Sequence, residues 1–465
     1  MTLSTNISKQ KLETVMRDSC RALMTTALGS KGMVRVMYNT RTNTWQNRYK
    51  VDDFGDYAPF ILATGILLDD KNLQQFPEKQ LELLKSTKRQ GLYHTLDPKF
   101  PLGKYTNKIR DNDDLLEGLL QCYRLTKNRT YLLEAQRVAD AVTSHLMFGN
   151  QFVERTFLNI PLPRRVYSIV RSPKNFMSDL TSVSSADCSG FMMDCFVAIS
   201  ELSGIKEYLT IAERVMARWL ATKTFQTLGL FPDRVIPYVG YEAPVSTIMK
   251  PNSHIAFALL GLIRATGKKV YHDAFKQWLN ALDTHLKTPG GYFSRYIHKR
   301  HSPDYNIRLT QNHALFELRL QWYAITKDPA LLSTIEEDIQ HWLVRQAPNG
   351  LFPEQLWKKN TANDTSSSDT QGDFLNILMK LDMITKKATY RNAIDAGING
   401  LIQNFLRSDG LWLEEVWTHT GIQAKDTLLT KFCGGSLKSI IAYYCMQYPT
   451  TKIPANILTT LIDDR

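Results

Sequence analysis

Acidic residues and histidines return at one point of a long internal rhythm in this chain. Asp52-Asp53, Asp111-Asn112-Asp113-Asp114, Asp187, Asn252-Ser253-His254, Gln311-Asn312-His313 and Ser367-Ser368-Asp369 each stand where a polar stretch passes into an apolar helical run. Glu117, Asp194, Glu317 and Asp373 follow a turn or two further along the same runs. Carboxyls gathered in this way suit glycoside hydrolysis. One carboxyl protonates the departing oxygen while a second acts as base or nucleophile. An apolar setting must hold the first protonated while the second stays ionised. Histidines at the same level suit proton abstraction beside a carboxylate, with a tyrosine as acid and an arginine to neutralise the substrate's charge.

Glu354 and Asp114 form the first catalytic pair on this basis, with Asp187, Asp53 and Glu415 as further candidates. Substrate contacts are expected from His254 and His313, from Trp357, Trp417 and Tyr241, whose rings can stack on sugar faces, and from Arg164 and Arg165. Structural roles compete with these. Asp53, Asp113, Asp187 and Asp369 stand where helix N-caps belong, and His254 and His313 serve equally well as satisfied core groups. Glu117, Asp194 and Asp373 carry more information. A carboxylate inside an apolar helix is costly unless it is paired or faces water, so they favour a solvated funnel, with buried structural pairs as the alternative. No HxH, HExxH or Cys/His spacing points to a metal, and none to a cofactor.

The elements that must position these residues are set by the rhythm itself. Gly350-Leu351-Phe352-Pro353-Glu354-Gln355-Leu356-Trp357 returns as Asp409-Gly410-Leu411-Trp412-Leu413-Glu414-Glu415-Val416-Trp417 and precedes as Leu228-Gly229-Leu230-Phe231-Pro232-Asp233-Arg234. Weaker copies begin at Gly32, Gly91, Gly149 and Gly291, so the unit recurs about every 60 residues, the mark of a repeat architecture. Within each unit an amphipathic helix ends near the glycine, a short extended arm follows, and a second helix is apolar nearly all round, as in Phe54–Leu68. Expected pairs are 8–28 with 54–68, 77–90 with 115–125, 130–147 with 185–203, 206–222 with 252–266, 269–286 with 311–326, 329–346 with 368–385, and 388–407 with 429–446. A short capping helix is expected at 453–462. The first and last apolar helices are as apolar as those between them, which favours closure over an open solenoid with polar end caps. The expectation is all-α: a single (α/α)7 toroid over residues 1–465, with six hairpins as the alternative count and short extended arms at its mouth. The longer step between Gly149 and Gly229 holds a basic insertion at about 156–183, long enough to be a lid or binding loop.

A net charge of +12 and a pI near 9.2 favour an acidic partner, such as a uronate- or phosphate-bearing glycan, nucleic acid or a membrane surface, with solubility as the competing explanation; dispersal of the charge weakens the nucleic-acid option. The six cysteines show no paired spacing and sit in apolar helical patterns, as reduced core residues do. Met1-Thr2-Leu3-Ser4-Thr5-Asn6 has no basic flank or apolar run, and no stretch approaches the length of a membrane span. A soluble, cytoplasmic protein is expected.

Asp113-Asp114-Leu115-Leu116-Glu117-Gly118-Leu119, with Tyr123-Arg124-Leu125-Thr126-Lys127 and Tyr131-Leu132, resembles the helix pairs of the α/α-toroid glycosidases and their epimerase and lyase relatives. The hairpin count is similar to that of the inverting class I α-mannosidases. Gly350–Trp357 resembles the general-base segment of glucoamylase-type enzymes, which implies Glu354 as base, and Pro251-Asn252-Ser253-His254 resembles the histidine segment of N-acylglucosamine and cellobiose 2-epimerases. Intracellular proteins of exopolysaccharide biosynthesis sometimes have this toroid. The resemblance implies a carbohydrate-active enzyme, most simply a glycoside hydrolase on an oligo- or polysaccharide. The alternatives are a lyase or epimerase using His254 or His313, and a non-catalytic glycan-binding protein.

Overall fold

A computed structural model describes residues 7–95, 106–157, 160–161, 184–236, 241–243, 249–294, 307–356 and 364–454. Most of the basic insertion, with Arg164 and Arg165, lies outside the described residues. So do Trp357 and most of the capping helix expected at 453–462.

Outer and inner helices alternate along the chain. The outer ones are α1 (Lys9–Met24), α3 (Lys71–Lys85), α5 (Arg129–His145), α7 (Lys206–Leu220), α10 (Lys269–His285), α12 (Pro329–Leu343) and α14 (Ala388–Phe405). The inner ones are α2 (Asp53–Leu68), α4 (Asp113–Thr126), α6 (Ala186–Ser203), α9 (Met249–Thr266), α11 (Leu309–Thr326), α13 (Ser368–Thr385) and α15 (Thr430–Gln447). A short α8 (Lys223–Leu228) interrupts one arm. Each inner helix packs on the next, and α15 returns to pack on α2, so the ring is closed. The core lies between the two rings, where Trp219, Trp278 and Trp342 of the outer helices are fully buried.

The second outer helix starts earlier than the periodicity implies, at Lys71 rather than residue 77. Asp70 accepts hydrogen bonds from the N–H groups of Asn72 and Leu73 and fixes the first turn there, with Pro77 carried inside the helix.

The two ends of the toroid differ. At one end, six inner helices pass to the following outer helix through two-residue turns whose first residue is left-handed: Asp69, Lys127, Gly204, Gly267, Lys327 and Lys386. At the other end the arms form short antiparallel ladders that tie each inner helix to the next repeat. Ile307–Arg308 pairs with Gln355–Leu356, Thr365–Ser367 with Glu415–Trp417, and Thr106–Lys108 with Arg155–Phe157. Met37–Asn39 pairs with Thr427–Leu429 and so joins the first arm to the last.

The repeated phrase is explained by three contacts. Its glycines (32, 91, 149, 229, 291, 350, 410) all have φ between +55° and +87°, which L side chains rarely adopt. Its aromatic residues Tyr93, Phe231, Phe293 and Phe352 are gripped at both backbone N–H and C=O by Asn112, Asn252, Asn312 and Gln371 of the next inner helix, at 2.7–3.1 Å. Its acidic position accepts through the backbone carbonyl the first N–H of the preceding inner helix. Ala186 donates to Asp233, Leu309 to Glu354 and Ser368 to Glu414.

Candidate active site

Inner helices carry polar side chains at three- and four-residue spacing on one face, and these faces converge on a funnel of about 270 Å³ at the arm end. Its wall runs from Lys50 and Asp56 beside α2, through Arg110, Asp114, Glu117 and Gln121 at α4, to Ser253 and His254 on α9. It continues through Thr310, Gln311 and His313 on α11 and Asp369 and Asp373 on α13 to Lys431 and Lys438 on α15. Phe60, Phe191, Phe257 and Phe432 supply its apolar surface. The inner-helix N-termini meet here, where their partial positive charge suits hydroxyl-rich or anionic ligands.

On the α2/α4 side the helices touch backbone to backbone. A Cβ on Gly55 would lie 1.9 Å from the Asp114 carbonyl oxygen, and one on Gly434 of α15 would lie 1.5 Å from that of Asp56. Such closeness crowds Asp52, Asp53, Asp56, Asp113 and Asp114 into one corner. Burial raises the Asp56 carboxyl well above the usual range, and Asp114, Asp53 and Asp52 add to this while Lys431 opposes it. Asp113 is likewise raised well above, by burial and then by Asp114. Asp52 rises to about 7 through burial and Asp53, against the pull of Lys50 at 2.6 Å. The corner therefore favours the protonated forms of Asp52, Asp56 and Asp113.

The opposite side pairs its charges. Asp187 lies 3.1 Å from Nε2 of His254 and 3.2 Å from Arg110. Asp373 lies 3.9 Å from Nε2 of His313 and 3.3 Å from Lys438. One turn deeper, Glu317 meets Lys380 at 2.7 Å, both nearly fully buried, and accepts from Gln321 at 2.9 Å.

The expected site residues fall into three groups. Asp114, His254 and His313 face the funnel together, with Glu117 and Asp373, while Asp194 lines a small chamber below with Arg124. Asp187 supports His254 from the rim, and Asp53 lies buried under Lys50. Glu354 is buried behind the wall, accepting from the Thr310 hydroxyl, and burial lifts it to about 7. Glu415 pairs with Lys425. Trp417 and Tyr241 are exposed on the arms.

Of the expected caps, Asp53 and Asp113 open their helices, and Asp187 and Asp369 follow one residue later; none is the N-cap. The N-cap positions fall to Asp52, Asn112, Ser185 and Ser367, and at Ser185 and Ser367 the arm strand runs directly into the helix. Asp56 was legible as a residue of the mouth, whereas sequence reasoning missed Arg110, Gln121, Lys431 and Lys438 as funnel residues. The available signal was their register with Asp114, His254 and Asp373 on the inward face.

Among the described residues no group of three or more His, Cys, Asp or Glu is arranged to hold a metal ion, and no helix is long and apolar enough to cross a membrane. All six cysteines are buried, and none forms a disulfide.

No known family profile matches the chain, and no curated protein sequence does. Solved structures do match in fold. An alpha-1,2-mannosidase from Trichoderma reesei superposes with a TM-score of 0.68 at 13% identity, over 94% of this chain and 93% of that one. A D-mannose isomerase gives 0.61 at 12% identity, over 95% and 100%. An inactive alpha-1,6-mannanase variant of Salegentibacter sp. HEL1_6, with two consecutive aspartates changed to asparagine and in complex with alpha-1,6-mannotriose, gives 0.51 at 10% identity, over 94% and 99%. The chain has the α/α-toroid fold of these glycosidase-like proteins.

Proposed function

We propose that the chain is a glycoside hydrolase acting on an oligo- or polysaccharide, with Asp56 as the proton-bearing acid and Asp114 as its carboxylate partner. The observation that carries this reading is the proton-holding corner on the funnel wall. Asp56 and Asp114 project from helices in backbone contact, and the charge of one keeps the other protonated. Adjacent aspartates at the head of an inner helix, Asp113-Asp114, are also the type of pair altered in the inactive mannanase. Here Asp113 is fully buried behind Arg110, so it positions Asp114 by accepting that residue's N–H at 2.9 Å. Glu354 serves the wall rather than the bond, holding Thr310 in place.

In the reaction a sugar enters the funnel and stacks on its phenylalanines. Asp56 gives its proton to the glycosidic oxygen as the bond to the anomeric carbon breaks. Asp114 either takes a proton from the water whose oxygen bonds to the anomeric carbon, with solvent then reprotonating Asp56, or bonds that carbon itself until a water, deprotonated by Asp56, replaces it. His254 and His313 orient hydroxyls.

The test is to incubate the full chain with α-1,2- and α-1,6-linked mannooligosaccharides and follow new reducing ends by chromatography. Hydrolysis is expected, reduced on the order of 10³-fold by Asp114→Asn or Asp56→Asn.

A second reading rests on the paired histidines. His254 and His313 both line the funnel with a carboxylate beside each ring, an arrangement that suits proton transfer in sugar isomerisation. Conversion of free mannose to a ketose, lost in His254→Ala and unaffected by Asp114→Asn, would replace the hydrolase reading. Glycan binding without turnover, surviving both substitutions, would replace both.

A further inference from the structure

The end of the toroid opposite the funnel carries a pattern that the funnel chemistry does not use. Five consecutive hairpin turns each present basic side chains to solvent, and four of them set exposed aliphatic side chains beside these. The turn from α4 to α5 has Lys127 and Arg129 with Leu133, which is 50% exposed. That from α6 to α7 has Ile205 (43%) with Lys206, and that from α9 to α10 has Lys268 and Lys269 with Val270 (53%). Lys327 stands in the turn from α11 to α12, and Met383 and Ile384 flank Lys386 and Lys387 at the turn from α13 to α14.

Because each of these turns is two residues long, the side chains stand at the tips of the hairpins and lie along one arc. The carboxylates that answer some of these lysines are Glu213 for Lys268, Asp273 for Lys269 and Glu336 for Lys387. Glu213 and Glu336 stand at the eighth residue of their outer helices, behind the tips, whereas Asp273, like Leu133, is the fifth residue of its helix. Asp328 caps α12 and Glu207 follows Lys206, so the arc is not purely basic. The turn between α2 and α3 is acidic, Asp69-Asp70, and bounds the arc on one side.

We propose that this arc docks on an anionic lipid surface, with the lysine and arginine heads at the headgroups and Leu133, Ile205, Val270, Met383 and Ile384 entering the interface. Charge complementarity favours an acidic surface, and the aliphatic tips choose lipid over nucleic acid. Basic residues with interspersed apolar side chains gain from both headgroup attraction and shallow burial. A nucleic-acid face would instead set aromatic or amide side chains among its cations to reach bases. Docking in this orientation turns the funnel away from the membrane and leaves its mouth open to substrate.

The test is flotation of the full chain with vesicles of phosphatidylcholine alone or with about 30% phosphatidylglycerol. Binding is expected only to the acidic vesicles at about 0.1 M salt, weakening sharply at about 0.5 M as screening shortens the Debye length from its ~10 Å. The combined Lys127→Glu, Lys268→Glu, Lys386→Glu variant should need at least about ten-fold more lipid for half-binding. The combined Ile205→Ser, Val270→Ser, Ile384→Ser variant should also bind less, by a smaller factor. A control with Lys79→Glu and Lys276→Glu, exposed on the sides of outer helices, should bind as the wild type does. All these positions are exposed, and unchanged circular dichroism and melting establish that each variant is folded. The proposal is overturned if acidic vesicles do not float the protein, if the control loses binding as much as the arc variant, or if the serine variant keeps full binding. It is also overturned if duplex DNA binds more tightly than the vesicles and the serine substitutions leave that binding intact.

Discussion

The two walls of the funnel handle buried charge in opposite ways. On α2 and α4, five carboxyls crowd together with Lys50, Arg110 and Lys431, and burial with mutual repulsion raises four of them, Asp52, Asp53, Asp56 and Asp113, above the usual carboxylate range. Elsewhere on the funnel Asp187, Asp373 and Glu317 each face a cation or a histidine: Asp187 with Arg110 and His254, Asp373 with Lys438 and His313, and Glu317 with Lys380. Crowding yields a group ready to give up a proton, whereas pairing yields a rigid surface with its charges spent on one another. The first arrangement is worth its cost in stability only if the proton is used.

The largest expected effect separates the walls directly. Asp114→Asn should lower hydrolysis on the order of 10³-fold, whereas Lys438→Met, on the paired wall, should lower it about ten-fold or less. Equal losses would abolish the distinction. The paired wall should instead show itself in stability. Lys380→Met leaves Glu317 buried without its cation and should cost roughly 3–5 kcal/mol in urea unfolding, much of it recovered by adding Glu317→Leu. A smaller contrast concerns packing. Gly434→Ala forces a methyl against the Asp56 backbone and should cost roughly 2–3 kcal/mol, while Gly261→Ala meets side chains alone, Asp194 at 2.9 Å and Val197 at 3.6 Å, and should cost less than about 1 kcal/mol. If the two glycines prove equivalent, the acidic corner is not held by backbone contact.

Much of this contrast was legible in the sequence, and the rest was hidden for physical reasons. The glycine of the repeated phrase, its aromatic anchor and the apolar inner helices are local signals, and they place the toroid, its mouth and the helix heads. Asp114, His254, His313, Glu117 and Asp373 follow from them, because polar residues on an inner helix can face only the funnel or a partner. The side-chain grip on the arm was less visible. Asn112, Asn252, Asn312 and Gln371 look like ordinary helix-start residues until their partners 19 to 21 residues earlier are known. Once seen, it sorts the rest: Asp114, His254 and Asp373 each stand two residues beyond a gripping residue and face inward. Asp56 was legible at the mouth but not as a candidate acid, because its surroundings come from α4 and α15, elements distant in the chain. Glu354 drew attention for the reverse reason, since its phrase is conspicuous but its backbone carbonyl serves as a tie for α11.

Glu354 therefore gives the finest test of the comparison, because it holds a proton without facing the funnel. Its carboxyl is raised from 4.5 to about 7, chiefly by burial, with the Thr310 hydroxyl pulling the other way and Asp369 adding to the rise. A carboxyl whose pKa is higher in the folded than in the unfolded chain binds more protons when folded. Its contribution to stability is thus greatest below pH 4.5 and is lost as pH climbs towards 7. Glu354→Gln removes that titration while keeping an acceptor for Thr310. Relative to wild type, the variant should be nearly neutral at low pH and gain about 3 kcal/mol by pH 8, read from unfolding curves at several pH values. Hydrolysis should stay within about three-fold of wild type, since the residue supports the wall at a distance from the bond. A flat stability difference across pH would mean that the Glu354 carboxyl ionises freely in the fold. A loss of activity as large as that of Asp114→Asn would move the acid from Asp56 to Glu354, and the proton-holding corner would then be scaffold.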